Sequence, residues 1–494
     1  MPPDVHRTMH GNIPVTWVDL DGPLTGTLIL GVGMRDEPAH LAGITHLAEH
    51  LIFRAMGDVI PVHDGVTSTH TVQLYATGTP DEVSAFLSTL TEVISSPAFT
   101  EDDLDLERKI IAAENPVRFG PNAGLLTYRY GFEGVGQGHA GTPTLASITL
   151  TEVTMWIREW CVDSNARLTF TGPPPPALKA RLPSGLAPPH QWARPLLEVP
   201  TIIGSDKSGV AISLVVDEDI SPFVRDALRV ELEKSLRTHA GLIYSADTEI
   251  TEVEPGLDQV DFVLDPFEAD VAKVVESAVE TVRRVAHEGF SPQAVAHSAS
   301  LCKTALNFPS SWGDHVDALV TTELIGGSLL SPSDWIERAT RLDGDELSKA
   351  LRRSLGSLIV TYDEETELPK DLADRLGLAV DDFVAAELVD APRRGPGRRW
   401  VGNWFSVRDW ARLDGTVLYE HIFGETRRTR LDDVVVAGRF GDGSVFLLDN
   451  RGRGQTIHPI LWRRGSGLIK AILAAVPEVR HRDFSWHDEP KGGC

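Results

Sequence analysis

Hydrophobic and polar positions along the chain fall into two long stretches that share one plan, followed by a shorter stretch that does not. In the first, the alternating run Val72-Gln73-Leu74-Tyr75-Ala76 predicts a strand, and helical spacing of apolar residues over 81–94 predicts the helix after it. Phe99 and Thr100 introduce a second helix that reaches Glu114. Thr100 is its cap, and Glu101, Asp102 and Asp103 complement its positive start. In the second stretch Val260-Asp261-Phe262-Val263-Leu264 predicts a strand and 269–285 a helix, and Phe290-Ser291 then caps a helix through Leu306. Strand, helix, Phe-Thr or Phe-Ser, helix therefore recurs at an offset of about 190 residues, which reads as a duplication.

The third stretch carries short strands over 417–423, 433–440, 444–448 and 455–458, parted by glycine and aspartate turns, and then a helix over 465–476. Dense proline over 172–200 forbids regular helix or central strand, and the basic run 391–399 is rich in breakers. The resulting division is 1–175, a linker over 176–199, 200–388, a second linker over 389–399, a module over 400–485, and a tail over 486–494. The fold class is α+β: two duplicated α/β-sandwich domains plus a small C-terminal β-barrel or sandwich with a closing helix.

Length supports this division, because 494 residues exceed what one hydrophobic core organises. The net charge of −25 excludes nucleic acid as a main partner. Residues 391–494 nevertheless hold 18 Lys and Arg against 12 Asp and Glu, so the module differs in charge from the acidic body. Its arginines Arg427, Arg428, Arg430, Arg463 and Arg464 could meet an acidic surface or protein, or merely solvate the module. No run is long and apolar enough to span a membrane, and no secretory signal is evident at the start. Three scattered cysteines (Cys161, Cys302 and Cys494) give no disulfide framework, and a cytoplasmic location is the simplest expectation.

The strongest chemical signal is His46-Leu47-Ala48-Glu49-His50. Positions i and i+4 share a helix face, so both imidazoles can reach one cation with Glu49 beside them. Two neutral imidazoles and a carboxylate suit one Zn2+ per chain, with a fourth position left for water. Glu114 is the best third ligand. Glu107 lies two turns before it on the same side of the helix, as a supporting group.

At these residues the sequence resembles the pitrilysin, or insulinase, family of zinc metallopeptidases, which carry the inverted His-x-x-Glu-His signature. The resemblance covers about residues 12–385. It includes Gly33-Met34-Arg35-Asp36-Glu37-Pro38, Ala42-Gly43-Ile44-Thr45 before the motif, the run 67–75, the paired glutamates, and 236–244 in the second copy. It implies zinc held by His46, His50 and Glu114, Glu49 as general base and Glu107 supporting a ligand. It also implies Arg237 and Tyr244 as substrate-holding donors, and an extended peptide paired near Thr69–Tyr75, with Thr69 and Thr71 as contacts. The implied activity is endopeptidase cleavage of short, unstructured peptides or leader sequences inside a clamshell. The alternative is a non-catalytic scaffold or partner subunit. One half-length chain holding both the zinc residues and the Arg/Tyr pair favours a homodimer, with a heterodimer with an inactive homologue as the other possibility. Two departures stand out. Only 63 residues separate His50 from Glu114, fewer than is usual in the family, and Asp64-Gly65-Val66-Thr67 replaces the familiar Asn-Ala-x-Thr. In the second copy the positions matching Glu107 and Glu114 are Ser298 and Ala305, so only the first copy can hold metal.

Overall fold

A computed structural model describes residues 4–485 except 58–61, 115–121, 123, 191, 193, 198, 206, 306–307, 309–310, 382–386 and 405–407. Leu306, Cys494 and the tail over 486–494 lie outside the described residues.

The first domain is built on strands β1 (His6–His10), β2 (Ile13–Trp17), β3 (Leu24–Leu30), β4 (Val62–Thr67), β5 (Val72–Gly78) and β6 (Ala166–Phe170). They form one sheet in the order β1-β2-β6-β3-β5-β4. Its helices are α1 (Ile44–Met56), α2 (Pro80–Ser95), α3 (Glu101–Glu114), α4 (Leu125–Tyr130) and α5 (Leu150–Trp160). The pattern of α2 explains its place. Thr79 and Glu82 close a capping box, and Val83, Phe86, Leu87, Leu90 and Ile94 turn one buried stripe toward the sheet. Each such side chain contributes roughly 1.5–3 kcal/mol on burial.

The second domain uses β7 (Thr201–Ser205), β8 (Val210–Asp217), β9 (Ile243–Glu254), β10 (Leu257–Pro266), β11 (Ile359–Asp363) and β12 (Ala379–Asp381). Their order is β12-β7-β11-β8-β10-β9. Position for position this is the first sheet again. β2 and β6 pair parallel, as do β7 and β11, while the three remaining inner pairings are antiparallel in both copies. Only the outermost strand differs, since β1 runs antiparallel to β2 whereas β12 runs parallel to β7. The helices are α6 (Ser221–Leu232), α7 (Val271–Glu288), α8 (Pro292–Ala305), α9 (Ser311–Leu324), α10 (Pro332–Arg341), α11 (Gly344–Ser354) and α12 (Leu372–Arg375). A duplication read from element order is thus matched in sheet topology.

The module contains β13 (Glu387–Leu388), β14 (Arg398–Val401), β15 (Trp410–Asp414), β16 (Val417–Ile422), β17 (Glu425–Arg430), β18 (Val434–Arg439), β19 (Val445–Asp449), β20 (Gly454–Ile457), helix α13 (Gly465–Ala475) and β21 (His481–Asp483). Of the two forms expected, a barrel and a sandwich, the barrel is not what forms. A five-stranded sheet, β13-β17-β16-β15-β14, and a four-stranded sheet, β20-β19-β18-β21, stay separate among the described residues. A 3-10 turn over Leu431–Asp433 carries the chain from one sheet to the other. Trp400, Leu418, Leu447, Leu468 and Ile472 fill the core they share with α13. The first of these sheets reaches back to Glu387, and Arg398–Val401, at the end of the breaker-rich segment, is a strand.

Two contacts fix the site's surroundings. At the junction of the domains the guanidinium of Arg129, 1% exposed, donates to Gln259 Oε1 (2.8 Å), Ser213 Oγ (3.0 Å) and the Ser357 carbonyl (2.7 Å), so this buried charge is fully hydrogen-bonded. The module docks on the first domain through Val435, Val436, Leu448 and Phe484, which pack on Ala39, Ala42 and Phe132. Arg482 adds an ion pair to Glu152 (2.8 Å) and a bond to the His40 carbonyl (2.6 Å). Among the described residues, no helix is long and apolar enough to cross a membrane.

Candidate metal centre

Helix α1 presents the centre, and its start is built without a side-chain cap of its own. Gly43, at φ +98°, is the N-cap, and a Cβ there would lie 2.8 Å from Thr142 Cγ2. The exposed amides are met instead by Glu37, from the loop before the helix. Its two carboxylate oxygens accept from Gly43 N (2.7 Å) and Thr45 N (2.8 Å). Complete burial pushes the Glu37 carboxyl up to about 7, against the pull of those two bonds. Leu47, Leu51 and Ile52 bury one face of α1 in the core, and His46 and His50 stay half-buried on another.

The three proposed ligands converge. His46 Nε2 and His50 Nε2 are 3.1 Å apart, and Glu114 Oε2 lies 3.3 Å from the latter and 4.0 Å from the former. One ligand atom from each residue therefore falls within a 4.8 Å group. Donors bonded at about 2.0–2.1 Å to a tetrahedral cation stand roughly 3.3 Å from each other, so the observed spacing fits joint ligation. The tautomer fits as well. His50 Nδ1 lies 2.9 Å from Glu107 Oε2 and serves as donor to that carboxylate, which leaves the Nε2 lone pair facing Glu114 and His46. Desolvation, reinforced by the neighbouring His50, lowers the His46 imidazole to about 4, so it is neutral and free to bind metal at pH 7.

Glu107 is 4% exposed and its other oxygen accepts from Arg54 Nε, one turn beyond His50 on α1. This places α3 against α1 through a buried Arg–Glu–His chain. Glu49, 6% exposed, does not join the ligand group. Its Oε2 accepts from Thr67 Oγ1 at 2.5 Å, and desolvation holds its proton affinity above that of an ordinary carboxylate. The Asp64–Thr67 departure has a steric counterpart here. A Cβ on Gly65 would strike Glu49 Oε1 and come within 2.6 Å of Phe53 Cε2, so glycine lets β4 cross directly over the glutamate.

One expectation about substrate contacts changes. The strand near Thr69–Tyr75 is not a sheet edge, because β5 is paired to β3 on one side and β4 on the other. The free edge is β4, Val62–Thr67, at the end of the sheet order. Thr69 and Thr71 lie in the turn between β4 and β5. Thr71 is buried with its hydroxyl near Ser68 Oγ (3.3 Å), and the Thr69 carbonyl accepts from Arg35 N (3.0 Å). Arg237 and Tyr244 do pair with each other, the guanidinium 6.0 Å from the tyrosine ring centre, on a π-helical turn and the start of β9. Tyr244 is 69% exposed.

Sequence reasoning passed over Glu37, Arg54 and Thr67. Arg54 was open to it, standing four residues after His50 on the same helical face. Glu37 and Thr67 reach their partners only through the folding of loop and strand.

No protein-family model and no curated protein sequence matches the chain. Solved structures do. A protease from Helicobacter pylori superposes with a TM-score of 0.60 at 14% identity, over 73% of this chain and 100% of its own. A mutant of the ferredoxin protease FusC, in complex with Arabidopsis ferredoxin, gives 0.58 at 15%, over 85% of this chain. Pitrilysin gives 0.58 at 12%, over 81% of it. The chain spans 55% of the length of FusC and 52% of that of pitrilysin, but the whole of the Helicobacter protein. Two topologically equivalent sheets, with a histidine–glutamate group on the helices of the first domain alone among the described residues, therefore sit in the fold of the pitrilysin-type peptidases.

Proposed function

We propose that the chain is a zinc-dependent endopeptidase that hydrolyses extended, unstructured peptides. The observation that carries this reading is the convergence of His46, His50 and Glu114 within 4.8 Å, beside a buried glutamate outside the ligand group. His46, His50 and Glu114 hold the zinc ion, which when bound supplies a polarised carbonyl and a water of lowered pKa. Glu107, anchored by Arg54, keeps His50 in the tautomer that offers Nε2. Glu49 takes the proton of the attacking water and returns it to the leaving amine, a role suited to a carboxylate whose proton affinity is raised by burial. Thr67 fixes the Glu49 carboxylate through the oxygen that it binds.

The peptide adds to the free edge of β4, whose last residue is the same Thr67, so pairing there draws the backbone toward Glu49. Arg237 and Tyr244, both exposed, serve the centre of a second copy in a homodimer. The test is metal analysis of the purified protein together with cleavage of a quenched peptide before and after chelation. About one zinc per chain, and activity lost with the metal and restored on its return, is the expected result. A metal-free protein, or cleavage indifferent to chelation, overturns the reading.

A further inference from the structure

A second cleft, separate from the histidine cluster, opens where the first domain, the proline-rich segment and the module meet. Its volume is about 520 Å3. Arg35 lines it, 2% exposed, with all three guanidinium nitrogens lacking a hydrogen-bond partner. One face of the guanidinium lies over Trp192, 4.3 Å from the ring centre, which leaves its N–H edge free. Burying a guanidinium without hydrogen bonds is costly, and desolvation lowers its proton affinity against the opposing charges of Asp36 and Glu252.

The nearest buried carboxylates, Asp36 and Glu37, spend their hydrogen bonds on other groups. Asp36 Oδ1 is 3.7 Å from Arg35 Nε, beyond hydrogen-bond reach, and receives His190 Nδ1 at 2.8 Å, while Asp36 Oδ2 accepts from Gly33 N. Both oxygens of Glu37 cap α1. Glu252 acts on Arg35 through space only, and its Oε1 is itself unpartnered. A second buried donor lines the same cleft, because the indole N–H of Trp156, a residue 7% exposed, also has no partner. The remaining walls are mixed: Trp160, Trp192, Pro188 and Pro189 form an apolar side, while Glu133, Glu159, His40 and Arg480 line the same cleft.

We propose that this cleft binds a carboxylate carrying an aromatic or aliphatic group, with the carboxylate on Arg35 and Trp156 and the apolar part against the tryptophan and proline walls. A guanidinium fork matches a carboxylate through two parallel bonds, and an indole N–H adds a third donor. A buried guanidinium beside tryptophan and proline rings suits a small organic acid, whereas a bare inorganic anion would leave the aromatic walls unused. A free small acid and the C-terminal residue of a peptide offer the same chemistry.

Isothermal titration with N-acetyl-phenylalanine, its amide, and a pentapeptide ending in phenylalanine with a free or an amidated end tests the assignment. The carboxylate forms bind and the amides bind at least about tenfold more weakly, the discrimination expected of a buried charged hydrogen bond. If only the small acid binds, the ligand is a free metabolite-sized acid. If the peptide binds as well, the cleft reads peptide C-termini. Arg35→Met loses the binding, and Trp156→Phe weakens it. Equal binding of acid and amide, no binding of either, or undiminished binding in Arg35→Met overturns the proposal. So does a lowered melting temperature of Arg35→Met without ligand binding by the parent protein, which would make Arg35 the structural partner of Glu252. Should Arg35→Met fail to fold, Arg35→Lys keeps the charge without the fork, and its undiminished carboxylate affinity would be equally fatal.

Discussion

The two halves of the duplicated body share a sheet order but use the same helix pair for different ends. In the first, α3 meets α1 through Glu107, which bonds His50 and Arg54 and so holds a ligand in place. In the second, α8 meets α6 at the corresponding position through Ser298, whose hydroxyl donates to the Phe223 carbonyl at 3.1 Å. Helix α6 contains no histidine, and the residue matching Glu114 is Ala305. One copy therefore uses its inter-helix contact to orient a histidine of the candidate metal centre, and the other uses it to satisfy a buried polar atom. Duplication of a fold carries the scaffold over without the chemistry, because four or five side chains decide the latter.

The largest test of that difference is Glu49→Gln, which keeps size and removes the base. Turnover of a quenched peptide falls by roughly 10²–10⁴-fold while zinc content is unchanged. Activity near that of the parent protein would mean that the first copy is as silent as the second.

Next comes the cap that the first copy gives to α1. The folded pKa of Glu37 is raised, so its contribution is fully present below the ordinary carboxylate value and is lost as pH rises through about 7. Over that window the loss amounts to about 3 kcal/mol of stability. Urea unfolding at pH 5 and pH 8 should show a smaller difference for Glu37→Gln than for the parent protein. Part of the slope remains, because burial also raises Glu252 to about 8 and Glu420 to about 7. An identical slope in the variant would remove Glu37 as a titrating group.

Removing the support for His50 has a narrower effect. Glu107→Gln or Arg54→Ala weakens metal binding by about 10–100-fold, read by competition with a chromogenic chelator, with little change in fold. Unaltered affinity in both would reduce the Arg–Glu–His chain to packing. The smallest effect belongs to the second copy. Ser298→Ala costs about 1 kcal/mol in unfolding free energy and leaves cleavage and metal content untouched. A loss of activity there would show that the two copies are coupled more closely than their separate contacts indicate.

Much of this was open to a reader of the sequence. The i, i+4 spacing of His46 and His50 and the two-turn separation of Glu107 and Glu114 are properties of a helix, so each pair could be placed on one face before any fold was known. Strand and helix order likewise exposed the repeat. The resemblance put peptide pairing near Thr69–Tyr75, and a match of motif residues does not say which of two adjacent strands lies outermost. The expected barrel became a sandwich for a related reason, since short strands and turns are compatible with either closure.

What the sequence determined by itself is the histidine and glutamate set of the first copy, the helical faces it occupies, and its lack of a counterpart in the second copy, all of which follow from local periodicity and residue chemistry. The tertiary structure alone decided that Glu37 caps α1, that Gly65 brings β4 over Glu49, that β4 is the open edge, and that Arg35 is sealed in a cleft without a hydrogen-bond partner. Each of those depends on which distant segments pack together, and packing is settled by the whole core, not by the spacing of residues along one element.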